Sequence, residues 1–366
     1  MKKIAIISNG IGIVYKFRLE LLQKLKELKY KIYIISPIEE TDQIFYELLK
    51  KEDVEICEIK MNRRGKNLFE EFKVIFQYYN LLKKINPVKV LTYTIKPNIY
   101  GGIVCRLLRL EYYVTITGIG SVFEKNNFLL KIIKIIYRVA LKKAKNVFFQ
   151  NKFGIQLFLN ERIVKKEQIT LVNGSGVNLE KFKSEIKERK GKYSFLFIAR
   201  IMKSKGIEEY LKVAKLIKSK YGEKVEFQIL GQFEENEYRK QIKELEEKNI
   251  VKYLGISSDV RNELRNIHCL INPSWNEGMS NVLLEAGAMK RFLIASDIPG
   301  CREIVIDNKT GFTFEKENVK DLVDKIEKFI NLSEKEYREF IEKSYEHILK
   351  NYSRDIVIKE YLNKIL

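Results

Sequence analysis

The chain is poor in the residues that hold metals or build disulfide frameworks. Its 366 residues include two histidines, His268 and His347, and four cysteines, Cys57, Cys105, Cys269 and Cys301. The cysteines are dispersed and form no Cys-x-x-Cys pair, which argues against a structural zinc site or a disulfide scaffold. His268 falls inside an apolar run, residues 267–272, where a packed imidazole is expected rather than a catalytic one. No run approaches the ~20 apolar residues needed to cross a bilayer. The first apolar run, residues 4–8, is too short for a signal-peptide core and has no small-residue cleavage site, so a cytoplasmic location is expected. Asp-x-Asp, Gly-x-Ser-x-Gly and clusters of histidine with carboxylates are also missing. Neither a catalytic metal nor a serine-hydrolase nucleophile is supported. No internal repeat or low-complexity segment stands out.

What is present is a long alternation of apolar runs and helical patterns. A hydrophobic share of 45% and a charged share of 32% mark a globular chain, and the length exceeds one ordinary core. Residues 3–8, 31–36, 88–92, 113–117, 146–150 and 168–172 read as strands. Between the first two, residues 18–29 interleave leucines with Arg18, Glu20, Gln23 and lysines, the mark of an amphipathic helix. A charged stretch, residues 181–192, precedes a second set of strands at 194–199, 225–230, 251–254, 269–272 and 292–295. Alternating strand and helix predicts α/β architecture with parallel, right-handed, doubly wound sheets. We expect two Rossmann-like domains, residues 1–183 and 193–350, facing a central cleft. A final helical segment, residues 351–366, follows them.

The net charge of +20 is unevenly placed. Through Lys183 there are 34 Lys and Arg against 17 Asp and Glu, a difference of +17; the remainder has 34 against 31, a difference of +3. A lysine-rich genome would load both halves alike. The excess therefore implies a polyanionic partner for the first half: an acidic membrane surface, a phosphorylated lipid or a nucleic acid.

The most informative segment is residues 273–285, a polar, glycine-bearing loop running from the 267–272 strand into an apolar helix. Glu277 and Glu285 stand eight positions apart. With the helix starting near Ser280, Glu277 lies in the loop and Glu285 about two turns in, and the helix start between them offers N–H groups to an anion. Carboxylates for hydroxyls and an amide nest for phosphate suit a sugar joined to a diphosphate. Ligands of open α/β sheets bind at such strand ends. Arg200 and Lys205 follow the 194–199 strand, where two cations can neutralise a diphosphate leaving group. Gly10 and Gly12 follow the first strand, either for close approach of an anion or simply for a turn. Residues 297–300 and Gly311-Phe312 read as turns beside the same cleft. In residues 125–145, Lys131, Lys134, Arg138, Lys142 and Lys145 recur at helical spacing among apolar residues. That helix either buries its apolar side in the domain or also rests its cationic face on an anionic membrane.

Together these segments resemble the retaining GT-B glycosyltransferases of glycosyltransferase family 4. The resemblance is carried by Glu277 and Glu285, by Arg200 and Lys205, by residues 297–300 with 303–305, by Gly311-Phe312 and by residues 173–182. It implies that Arg200 and Lys205 hold the donor diphosphate and that Glu285 binds the ribose. Glu277, the backbone of Gly278, Met279 and Ser280, and Asn281 would complete the donor site, with Gly12 approaching the phosphates. It implies transfer with retention and no metal or other cofactor, a donor phosphate oxygen accepting the acceptor's proton. The final helix would cross back onto the N-terminal domain. One departure stands out: residues 115–121 carry no histidine where many members have one near the sugar, leaving Thr117 or the backbone at Gly118 in that place.

With Tyr15 and Arg18 in the first loop, the chain looks like the bacterial branch that builds capsule, O-antigen or N-glycan precursors on undecaprenyl diphosphate. It is similar there to N-acetylgalactosaminyltransferases. The expected activity is transfer of an N-acetylhexosamine, such as GalNAc from UDP, to a polyprenyl-diphosphate-linked acceptor. The expected place is peripheral on the inner face of the cell membrane, with Tyr15, Arg18, Lys131, Lys134 and Arg138 toward acceptor or lipid. Two rivals remain: a GT-B nucleotide-sugar epimerase, which the Glu277–Glu285 spacing disfavours, and a basic nucleic-acid-binding protein, for which no recognition element is evident.

Overall fold

The computed structural model describes residues 1–62, 67–118 and 128–366. They form two compact units, Met1–Ser175 with Val357–Leu366, and Gly176–Ile356.

The first unit runs β1 (Lys3–Ile7), α1 (Ile11–Glu27), β2 (Lys31–Ser36), α2 (Gln43–Lys51), β3 (Glu55–Glu58), α3 (Leu68–Ile85) and β4 (Lys89–Tyr93). A π-helical turn, Pro97–Gly101, then leads into α4 (Gly102–Leu107), β5 (Tyr112–Ile116), α5 (Phe128–Leu141), β6 (Asn146–Phe149), α6 (Lys152–Asn160) and β7 (Ile169–Leu171). The strands form a seven-stranded parallel sheet in the order β3-β2-β1-β4-β5-β6-β7. Helices cover both faces, so the strands are apolar at successive positions instead of alternating with polar residues. Ala5, Ile7, Tyr33 and Ile35 pack into the layer of α3 to α6. Their neighbours Ile4, Ile6, Ile32 and Ile34 pack against α1. β3, absent from the sequence reading, is an edge strand whose Glu-Ile-Cys-Glu pattern leaves every residue exposed or half-buried.

The second unit runs β8 (Tyr193–Ile198), α7 (Ile207–Tyr221), β9 (Val225–Leu230), α8 (Glu237–Glu247), β10 (Lys252–Tyr253), α9 (Arg261–Arg265) and β11 (Cys269–Asn272). It continues through α10 (Asn281–Ala288), β12 (Phe292–Ser296), β13 (Phe312–Phe314), α11 (Val319–Asn331) and α12 (Glu334–Tyr352). Its six-stranded parallel sheet has the order β10-β9-β8-β11-β12-β13. Gly311-Phe312, expected as a turn, opens β13, whose Phe312 is fully buried against β12.

α13 (Arg354–Ile365) follows, and its Val357, Ile358, Tyr361 and Ile365 belong to the core of the first unit. No helix among the described residues is long and apolar enough to cross a membrane.

Candidate active site

In the second sheet the chain proceeds outward from β8 to β9 and β10, then returns to the other side of β8 with β11. The loops leaving β8 and β11 therefore diverge, opening a crevice at the carboxyl ends of the two strands. Arg200 and Lys205 lie in the first loop and Glu277 in the second. The fold thus brings together residues that stand far apart in sequence.

Lys205 Nζ donates to Glu277 Oε1 at 2.7 Å, and both side chains are 18% exposed. Three backbone features fix this pair. Gly206 adopts φ 75° as N-cap of α7, and a Cβ there would meet Pro273 O at 2.0 Å, so only glycine permits the two loops to touch. Trp275 N donates to Ser204 O at 3.0 Å across the same contact. Gly300, at φ 87°, packs on the far side, where a Cβ would lie 2.8 Å from Glu277 O. Its N–H donates to Glu303 Oε2 at 2.7 Å within the loop after β12, and its carbonyl accepts from Ser280 N at 3.0 Å, which holds that loop against the Glu277 loop.

Arg200 is exposed, with Nη1 3.5 Å from Glu234 Oε2 on the loop after β9. Glu234 was missed from sequence; its only signal was its place just past a strand end. Glu209 was missed too. It is buried in α7, accepts a hydrogen bond from Trp275 Nε1 at 3.3 Å, and has its carboxyl pushed above the usual range by burial. A helix-face glutamate gives no sequence signal of this kind.

The helix after the Glu277 loop starts at Asn281, with Ser280 as N-cap. Glu285 is its fifth residue, one turn in and not two. Ser280 is committed to the protein: its N–H donates to Gly300 O at 3.0 Å and its Oγ accepts from Asn272 Nδ2 at 2.6 Å. These contacts shape the loop that carries Glu277. Met279 is buried among core residues, so its side chain is structural. Gly278 is half-buried, and Asn281 Oδ1 is buried without a hydrogen-bond partner. His268 is packed as expected: Nδ1 accepts from Ser194 N at 3.1 Å and Nε2 lies 2.9 Å from Glu188 O. Burial pushes its pKa down.

In the first unit the expected residues fare differently. Gly12 is not in a loop but in the first turn of α1, where a Cβ would crowd Phe45 at 3.0 Å and Asp42 at 3.3 Å. Tyr15 and Arg18 also lie within α1, not in a loop. Tyr15 is half-buried beside Phe45. Arg18 is only 4% exposed, stacked over Tyr93 at 4.6 Å and Tyr361 at 5.4 Å, so it faces the core and not a lipid surface. Thr117 and Gly118 are half-buried just past β5, while residues 119–121 and Lys125 lie outside the described residues. Lys131 is exposed. Lys134 pairs with Glu161 at 2.6 Å, and Arg138 donates to Glu161 O at 2.8 Å and Arg162 O at 3.1 Å. These two cations serve the carboxyl end of α6, whose dipole favours positive charge, so the expected cationic stripe of α5 is partly spent within the fold.

Sequence gave no hint of Asn9 and Thr94 beside the switch between β1 and β4. Thr94 holds φ 74°, strained for a β-branched residue, and its Oγ1 and Asn9 Oδ1 are buried without hydrogen-bond partners. Among the described residues no group of three or more His, Cys, Asp or Glu is placed to hold a metal.

Residues 3–151 match the family model described as Glycosyl transferase 4-like, and residues 178–347 match Glycosyl transferases group 1. The chain is 25% identical to the N,N'-diacetylbacillosaminyl-diphospho-undecaprenol alpha-1,3-N-acetylgalactosaminyltransferase of Campylobacter jejuni, over 98% of this chain and 97% of that protein. It is 26% identical to the UDP-Gal:alpha-D-GlcNAc-diphosphoundecaprenol alpha-1,3-galactosyltransferase of Escherichia coli, over 82% of this chain and 83% of that one. Among solved structures, Anabaena HepE in complex with UDP and glucose superposes with a TM-score of 0.79 at 14% identity, covering 100% of this chain and 99% of that one. The two parallel-sheet units are those of the GT-B fold, and the chain belongs to the group 1 glycosyltransferases, with a glycosyl transferase 4-like domain preceding the group 1 domain.

Proposed function

We propose that the enzyme moves an N-acetylhexosamine, GalNAc in the first instance, from UDP to a polyprenyl-diphosphate-linked acceptor, with retention and without a metal. The observation that carries this reading is the Lys205–Glu277 pair at the β8/β11 crevice, a cation and a carboxylate 2.7 Å apart. Lys205 and Arg200 take the donor diphosphate, neutralising the charge that grows as the bond from C1 to phosphate breaks. Glu277 and the backbone at Gly278 and Met279 take hydroxyls of the transferred sugar, Asn281 lies beside them, and Glu285 takes the ribose. Gly12 is assigned to phosphate at the amino end of α1. The acceptor hydroxyl forms the new bond to C1 and passes its proton to a donor phosphate oxygen, so no protein nucleophile is required.

The acceptor class is supported by the two relatives, each named for transfer to a diphospho-undecaprenol acceptor. UDP is supported by the Anabaena complex. The lipid acceptor and the +17 excess through Lys183 favour work at the inner face of the cell membrane over a nucleic-acid partner. The test is transfer from a panel of UDP-, GDP- and ADP-sugars to a short-chain polyprenyl-diphosphate sugar in excess EDTA. An α-linked product from UDP-GalNAc is expected. A β-linked product, a free epimerised sugar or loss of activity in EDTA would each overturn its part of the reading.

A further inference from the structure

The sheet in the first unit is covered on one side by α3 to α6, and the outward surface of that layer is not what a solvated helix layer presents. α3 is apolar on two opposite faces. Val74, Tyr78, Leu82 and Ile85 point into the core. Phe69, Phe72 and Phe76 point away from it and are 67%, 68% and 65% exposed. At α-helical periodicity these three, with Tyr79 and Lys83, fall within about 80° of arc. A helix apolar all round is ordinarily buried all round.

Lysines accompany the aromatics. Lys73 lies 4.5 Å over the ring of Phe69, and Lys83 lies 5.8 Å over Tyr79. The acids of the helix, Glu70 and Glu71, stand off the stripe, and Glu71 pairs with Lys96. α5 repeats the design. Ile132, Ile135 and Val139 share one outward face, the last two 55% and 46% exposed, flanked by exposed Lys131 and Lys142. No acidic residue occurs in α5. Both helices pack on the Pro97–Gly101 turn, so they stand in one layer.

We infer that the outward stripes of α3 and α5 form one face that docks on an anionic phospholipid bilayer, the phenylalanines entering the boundary between headgroups and acyl chains. The inference rests on the lipid-linked acceptor proposed above. Charge chooses the occupant. An apolar centre bordered by cations matches an interface whose phosphates lie just above its hydrocarbon. A second copy of the chain, docked through the same face, would set lysine against lysine. The lipid-facing element is then this pair of stripes, in place of the Lys134–Arg138 face.

Co-sedimentation of the full chain with phosphatidylglycerol-containing vesicles tests this, with phosphatidylcholine vesicles as reference. Wild type is expected to bind the first far more than the second. Phe72→Ser/Phe76→Ser should lower the partition coefficient at least about tenfold, because binding scales with the apolar area inserted. Its melting temperature should not change, since the replaced rings are exposed. Lys73→Glu/Lys83→Glu provides a second variant and should abolish the preference for anionic lipid. Equal partition of wild type and variants overturns the inference. So does a wild-type dimer in sedimentation velocity that the phenylalanine variant dissociates. The transferase reading is judged separately, by wild-type turnover of a water-soluble short-chain acceptor without lipid, so the failure of either is distinguishable.

Discussion

Lys205 and Glu277 neutralise one another across 2.7 Å. On the proposed reading a ligand must serve both at once, diphosphate for the lysine and sugar hydroxyls for the glutamate. UDP alone would draw Lys205 away and leave Glu277 without its cation. Product should therefore bind more weakly than donor, and Glu277→Gln should tighten UDP while weakening UDP-sugar, a pair of opposite shifts that titration calorimetry reads directly. For transfer, Lys205→Ala and Glu277→Gln should each lower kcat/KM by about 10²–10³-fold, the usual cost of deleting one charge-stabilising contact. Turnover at the wild-type rate would remove them from the site. His268 makes a different prediction. Its Nδ1 accepts from Ser194 N, so the ring is held neutral and its pKa is depressed by burial. Its stabilisation is complete above about pH 6.5, the unfolded value, and is lost as pH falls through the folded one. Urea melts from about pH 7 down to pH 5 should show wild type losing stability more steeply than His268→Gln, because only wild type takes up that proton on unfolding.

At the scale of elements, three loops are locked together by glycines and not by side-chain bulk. A Cβ on Gly300 would lie 2.7 Å from Gly278 O, at a φ of 87° that disfavours any L side chain. Gly300→Ala should cost about 1–3 kcal/mol in thermal or chemical denaturation. It should also lower donor affinity, since the displaced loop carries Glu277. Strands enclosed by helices on both faces were legible because continuous Ile, Val and Phe runs have few other uses. Residues 31–36, 225–230 and 269–272 coincide with β2, β9 and β11. β3 was illegible because its solvent edge needs no apolar pattern, and β13 because Gly311 before it reads as a turn. The strand-end position of residues 273–285 and of Arg200 and Lys205 followed from those same runs. What periodicity could not supply was partnership. Lys134 and Arg138 look like a free cationic stripe until Glu161 and Arg162, over twenty residues away, accept their hydrogen bonds. Arg18 reads as a polar position of an amphipathic helix, yet its guanidinium is sandwiched by Tyr93 and by Tyr361 from the far end of the chain.

On the scale of the whole molecule, the two units are not two consecutive stretches of chain, since Val357–Leu366 belongs with Met1–Ser175. Val357, Ile358, Tyr361 and Ile365 fill the same core as Ile4, Ile34 and Leu91, and Tyr361 packs 4.3 Å from Phe148. Deleting residues 357–366 should uncover that apolar surface. The expected result is a drop in the melting temperature of the first unit with dye binding to exposed core, while the second unit keeps its own transition; a single unchanged melt would contradict it. The same connectivity sets an order of events during synthesis. Domains ordinarily fold as they emerge, first made first folded. Here the first-made unit must wait, with its β1–β4 core open along one side, until the entire second unit has been translated and α13 has cleared the ribosome. The second unit can close before the first is complete, so a stalled or nicked chain would leave the ribosome with its older half unfinished and its younger half intact.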